Sequence, residues 1–303
     1  MSAAHDYAFP ALPYDDWADS KNTLHRYMQI AGKIRLVQTP KLNHWWHVTF
    51  YVSPRGLTTG PIPHGERTFD LTFDFFSHEL VVTISTGERL ALALRDGVSV
   101  ADFYARLMKA LDDLDLPVRI VDRPFDLTPT TRFSQDHDHA SYDADAVNRY
   151  WRVLVQADRI FQQFRGRFVG KSSPVHLYWH SFDLALTRFS GKAVDLPDGT
   201  DPVTRDAYSH EVISFGFWAG DPKVREPHFY SYTAPQPDGL TDQPLQPEAA
   251  HWTSSGSGSL ALLPYDVVRN APDPDETLLQ FLESAYQAGC RTAGWDTEAF
   301  RRS

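Results

Sequence analysis

Cysteine is nearly absent: the chain of 303 residues has one, Cys290. A single thiol excludes an intramolecular disulfide, and such usage fits a reducing compartment. Beside Gly289, this cysteine reads as a helix-end residue and not as a nucleophile. Long apolar runs are missing too, since none approaches the roughly 18 residues that a membrane-spanning helix needs. The stretch Met1 to Pro10 has neither the basic nor the apolar region of a signal peptide. Positive charge is in deficit. Lys and Arg number 29 against 39 Asp and Glu, for a net charge of −10. That balance argues against neutralising the phosphates of nucleic acid and against docking on an anionic membrane. The expectation is a soluble, cytoplasmic protein with neither as partner.

Several catalytic signatures are also absent. There is no Gly-x-Ser-x-Gly and no Cys–His context for nucleophilic chemistry. Gly166-Arg-Phe-Val-Gly-Lys-Ser172 is one residue short of a phosphate-binding loop, and it follows a helix where that loop would follow a strand.

What the chain does have is aromatic residues, 13% of the whole with 8 Trp and 19 Phe, and a hydrophobic content of 42%. That is enough for a large core. It also has an internal echo. Arg26, Gln29, Trp46 and His47 recur without a gap as Arg159, Gln162, Trp179 and His180. Downstream, Thr72-Phe-Asp-Phe-Phe76 is answered by Ser214-Phe-Gly-Phe-Trp218, and Leu90-Ala-Leu-Ala-Leu94 by Leu260-Ala-Leu-Leu263. The preserved order reads as an internal duplication.

Periodicity fills in each copy. Leu24, Tyr27, Met28, Ala31 and Ile34 predict a helix from about Asp16 to Val37. The aromatic run His44 to Val52 predicts a strand, followed by strands Thr68 to Phe76, Glu79 to Ser85 and Arg89 to Leu94. Ser99, with Asp102 three residues on, caps the next helix. In the second copy a helix runs from Asp143 to about Arg167, and Val175 to Phe189 reads as one long strand. Strands Glu211 to Trp218, His228 to Thr233 and Leu260 to Leu263 follow, with Gly256-Ser-Gly258 as a hairpin tip. A closing helix starts at Asp273 and Pro274 and stops at Gly289. The fold class is therefore α+β, a duplicated helix–four-strand–helix unit with antiparallel sheets packed against helices. Its parts are a first repeat over 12–120, a linker over 121–141, and a second repeat over 142–296 with inserts at 191–206 and 235–249. His137 and His139 fall in that polar linker and are expected to be solvated.

Titrating residues concentrate in the second copy. On an unbroken strand, His176, His180 and Arg188 share a face with Tyr178, while Asp183 points the other way. His176 and His180 would lie roughly 13 Å apart, too far to share one metal ion. A metal would need residues from two strands, such as His176 and His210 with Asp183 or Glu211. For acid–base work the candidates are His176, Asp183, His210 and Glu211. Arg188 is the candidate clamp for an anionic group, or else the partner of Glu211 in a structural ion pair. Trp46, His47 and Trp179 are candidate ligand contacts.

Seven strings carry a family resemblance: Asn43-His-Trp-Trp-His-Val48, Gly56-Leu-Thr-Thr59, His139-Ala-Ser-Tyr-Asp143, Ser173-Pro-Val-His176, Phe182-Asp183, Thr187-Arg-Phe-Ser-Gly191 and Tyr208-Ser-His-Glu211. Together they resemble an uncharacterised bacterial family known as a domain of unknown function, over roughly Pro10 to Phe300. The resemblance implies a cytoplasmic bacterial protein and supplies no activity, substrate or cofactor. That family often has glycine where this chain has His180, which sets His180 aside as a catalytic candidate.

The resulting expectation is a small-molecule enzyme or binding protein. Its single asymmetric site, aromatic and His-lined, would sit at the seam of the repeats and take a small anionic ligand. The alternative is a non-catalytic interaction module that presents the two polar inserts to a partner.

Overall fold

Helix α1 (Ala18–Gln38) carries the expected apolar stripe, yet every residue from Thr23 to Arg35 is buried, polar ones included. A helix buried on all sides must satisfy its polar groups internally. Arg26 does so against Asp136 at 3.2 Å, both side chains 2% exposed. Gln29 donates to the carbonyl of Phe125 and accepts from its amide, at 2.9 and 2.7 Å. His25 Nε2 lies 2.9 and 3.1 Å from the carbonyls of Trp179 and His180. This computed structural model describes residues 7–256 and 258–301. Six residues of the stretch read for a signal peptide, and Ser257 of the expected hairpin tip, lie outside them.

The other main helices begin where their caps predict. Ser99 and Asp102 close a capping box on α2 (Val100–Asp113), and Asp143 caps α3 (Ala144–Gly166). A short α4 (Pro202–Ala207) and α5 (Tyr265–Arg269) precede α6 (Pro274–Ala293), which Asp273 caps. Helix α6 runs past Gly289 and ends at Gly294, whose φ of 67° is left-handed. Gly289 has a different task. A Cβ there would stand 2.4 Å from Thr233 Oγ1, so the missing side chain lets the helix lie close on the sheet.

Each half has an antiparallel sheet of six strands, where four were expected. The first comprises β1 (Tyr51–Ser53), β2 (Gly56–Thr58), β3 (Ile62–His64), β4 (Arg67–Asp74), β5 (Glu79–Ile84) and β6 (Arg89–Ala93). Its order is β1-β2-β4-β5-β6, with β3 also on β4. The second comprises β7 (His176–Tyr178), β8 (Asp183–Ala193), β9 (His210–Trp218), β10 (His228–Ala234), β11 (His251–Ser255) and β12 (Gly258–Pro264). Its order is β11-β12-β10-β9-β8-β7. Phe50 and Leu177 exchange both backbone hydrogen bonds, each 2.8 Å, and so join the two sheets edge to edge. Helices cover one face of each sheet: Phe103 of α2 stacks on Phe73, and Phe164 of α3 meets Phe215 edge-on. The architecture is α+β. No helix among the described residues is long and apolar enough to cross a membrane.

Three local expectations are corrected. The run His44 to Val52 is not a strand. Asn43–Val48 is a 3₁₀ turn with His44 and Trp45 at positive φ, and only Tyr51–Ser53 joins a sheet. Residues 175–189 are not one strand either. Phe182 takes a φ of 61° and its amide bonds to the carbonyl of Tyr178, folding the segment into the β7–β8 hairpin. Of the linker histidines, His137 is exposed as expected, but His139 is tied down. Asp136 binds His139 Nδ1 at 2.9 Å, and its carbonyl accepts from Ala101 at the start of α2.

The Arg26–Asp136 pair generates a test. Asp136→Ala leaves a buried guanidinium without its counter-charge, which costs about 3–5 kcal/mol. Urea unfolding should record that loss, and a change below about 1 kcal/mol would contradict the assignment.

Candidate functional site

The second sheet has two unlike faces. One packs Ile213, Phe215 and Phe217 against helices, while the other, bearing Val212, Ser214 and Trp218, floors a cavity of ≈ 830 Å³. Alternation along β8 turns Asp183, Ala185 and Thr187 to the same side, and β10 adds Tyr230 and Tyr232. The floor is hollow because Ala185, Ser214 and Gly216 are small. At Gly216 a Cβ would stand 2.3 Å from the Tyr230 hydroxyl oxygen. Its absence lets the Tyr230 ring lie across β9, so that the hydroxyl reaches Asp183 on β8.

Asp183 is the centre of this floor. Its Oδ2 accepts from the Tyr230 hydroxyl and its Oδ1 from Ser181. Cross-strand register puts Tyr178 on one side of it and Trp218 on the other. The carboxylate is 8% exposed. Among the described residues, no Lys, Arg or His nitrogen comes within 4.0 Å of it. Burial holds the Tyr230 phenol far above its ordinary pKa, and the Asp183 charge adds to the effect. Tyr230 is therefore a donor at neutral pH. Beside it Tyr232 stacks in parallel, with rings 6.2 Å apart, and accepts from the Tyr208 hydroxyl at 3.3 Å.

The roof comes from the 43–48 turn, helix α4 and the 221–224 turn. Trp45 Nε1 donates to the carbonyl of Val203 at 3.1 Å, and His44 Nδ1 lies 3.2 Å from that of Ala207. From below, the Tyr178 hydroxyl donates to the carbonyl of His44 at 3.0 Å. The left-handed backbone at His44 and Trp45 aims these rings at their acceptors. Lys33 of α1 also lines the cavity, its ammonium 5.6 Å from the centre of the Trp179 ring. Burial lowers the Lys33 pKa. That indole lies flat on α1 because residue 32 is glycine, where a Cβ would come within 2.2 Å of it.

Of the candidates named from sequence, Asp183, Trp46 and Trp179 line this cavity and the others do not. His47 is buried behind the roof, where its Nδ1 accepts from the Leu42 amide at 3.2 Å. His176 shares the face of Asp183 but is fully buried, with Thr49 Oγ1 3.3 Å from its Nδ1. Its ring stands edge-on to Tyr178. His210 bonds Ser209 and meets the edge of His44. Glu211 accepts from Ser190 and Trp295. Arg188 points to the helix-covered face and forms no ion pair with Glu211. The reason is the β7–β8 turn, which reverses the alternation assumed for a continuous strand. Among the described residues, no three His, Cys, Asp or Glu side chains gather where a metal could sit, so the arrangement of His176 and His210 with Asp183 or Glu211 does not form. Tyr178, Tyr230, Tyr232 and Trp218 were missed from sequence. The i, i+2 spacing of Tyr230 and Tyr232, beside a strand with a central glycine, was the available signal.

A pH test follows from the buried histidines. Burial pushes His25 and His176 from 6.5 down to about 3, and nearby cations push the same way. The unfolded chain therefore binds protons that the folded chain refuses between about pH 3 and 6.5. Stability should fall as pH drops through that window. His176→Asn removes one of these groups and should flatten the fall by up to about 1.4 kcal/mol per pH unit. Urea titrations at pH 6.5, 5.5 and 4.5 would read it, and an unaltered slope rules the account out.

Residues 9–302 match the model of a family of unknown function (DUF5996), and the chain belongs to that family. No curated protein and no solved structure matches it.

Proposed function

We propose that this member of the family is a small-molecule-binding protein, that the cavity on the open face of the second sheet is its site, and that its ligand carries a cationic nitrogen. The observation that carries this reading is Asp183. A buried carboxylate is costly unless it is paired and hydrogen-bonded. Two hydroxyl donors spread its charge without cancelling it. An ammonium group would cancel it, and Tyr178 and Trp218, the cross-strand neighbours of Asp183, bring aromatic rings of the kind that attract the same cation. The cavity volume suits a small organic molecule, and aromatic walls with a few convergent polar groups are what such sites use. Lys33 supplies a second polar anchor.

The anionic ligand expected at this seam depended on Arg188, which lies on the other side of the sheet. In acid–base chemistry on a bound ligand, the groups in reach to accept a proton would be Asp183, His44 and His180, which line the cavity, and not His176, which is sealed in the core. The rival reading of the inserts as partner-facing loops is less favoured. Val203, Thr204 and Ala207 of the first insert and its border line the cavity. The second insert bonds to α6 through Gln246 and Ser284.

Isothermal titration with phenethylamine and with its neutral counterpart 2-phenylethanol tests the proposal. The amine should bind, the alcohol should bind at least ~10-fold more weakly, and Asp183→Asn should erase the difference. Equal binding of both compounds, or an amine preference that survives Asp183→Asn, would overturn it. Circular dichroism confirms that the variant is folded.

A further inference from the structure

The helix-covered side of the second sheet holds another cavity, of ≈ 590 Å³, and Arg188 lines it. This guanidinium is 2% exposed and lies among aromatic rings. Its Cζ is 3.6 Å from the centre of Phe164, 4.3 Å from Tyr286 and 4.8 Å from Phe168. An arginine side chain has five N–H donors. One of them is used at 2.6 Å on the carbonyl of Phe164, while Nε has no hydrogen-bond partner. Among the described residues, no carboxylate comes within 4.0 Å of the group. A buried charge in this state is incomplete, because aromatic faces hold a guanidinium without occupying its in-plane donors.

The rest of the wall indicates what would complete it. Arg167 and Arg301 line the same cavity, against Glu283 and Glu298. Glu283 is already engaged, accepting from Gln287 at 2.8 Å. The walls thus carry one more positive than negative charge, which fits a monoanion better than a dianion. A carboxylate offers two coplanar oxygens to a guanidinium edge, and Phe168, Tyr286 and Phe300 offer apolar surface to its organic part.

We propose that the cavity around Arg188 is a second binding site, independent of the Asp183 cavity, and that it takes a small organic carboxylate on the free edge of the guanidinium. Binding forms charge-assisted hydrogen bonds and breaks no covalent bond.

The test uses the full chain, with sodium benzoate as probe and sodium chloride at equal ionic strength as reference. Benzoate should raise the melting temperature saturably and shift the Arg188 Nε–H resonance in a nitrogen-correlated NMR spectrum. Arg188→Met should abolish the melting shift, whereas Asp183→Asn should leave it intact, which separates this site from the first. No saturable shift, an equal effect of chloride, or a shift that persists in Arg188→Met overturns the proposal. So does tighter binding of inorganic phosphate than of benzoate. If Arg188→Met does not fold, the Nε–H resonance of the unaltered protein decides alone, and its failure to move with benzoate rejects the site.

Discussion

The cavity depends on one reciprocal pair of backbone hydrogen bonds, between Phe50 and Leu177. Leu177 lies on β7, an edge strand, and Phe50 directly precedes β1, the edge strand of the other sheet; an edge is a row of unpaired donors and acceptors that has to be blunted or matched. Here the two edges match each other. The roof turn 43–48 ends two residues before Phe50, and Asp183 comes six residues after Leu177. Joining those two points therefore fixes the roof relative to the floor. Thr49 and His176, adjacent to the pair, repeat the contact through their side chains. Because His176 is held neutral there, the joint places no unpaired charge in the core.

Helix α1 applies the same constraint from above. A buried helix with so many polar side chains depends on partners for them, and several of those partners lie on segments distant in sequence. Gln29 grips both backbone groups of Phe125, and Phe125 lines the cavity. His25 sits on the carbonyls of Trp179 and His180, within the turn that leads to Asp183. The polar interior of α1 thus positions the site without touching the floor itself.

Much of the scaffold was legible in sequence because its signals are local. Ser99 with Asp102, Asp143, and Asp273 with Pro274 mark helix starts through their own side chains, and alternation located β4, β5, β9 and β10. The failures have one physical origin. Chain reversals at Trp179 to Phe182, and the left-handed His44 and Trp45, use residues that rarely take positive φ. Neither segment contains a glycine or a proline, and the asparagine at 43 stands just before the left-handed pair and not within it. Tertiary contacts impose these conformations, and a missed reversal exchanges the two faces of everything beyond it. Asp183 was therefore named among the reactive groups but given the wrong neighbours, and Arg188 was assigned to the wrong side. Tyr230 and Tyr232 escaped notice because a buried tyrosine and a pocket tyrosine follow the same strand pattern. Only the glycine at 216, which makes room for a ring, separates the two.

The roof is fastened to helix α4 through main-chain oxygens, those of Val203 and Ala207, while the side chains of the same two residues face the cavity. Attachment and shape are thereby carried by different atoms of one residue. Replacing Val203 or Ala207 with a larger or smaller side chain alters the contour of the chamber and leaves the acceptors in place. Such an arrangement makes ligand preference malleable: relatives or engineered variants have room to diverge in what they hold without rebuilding the enclosure.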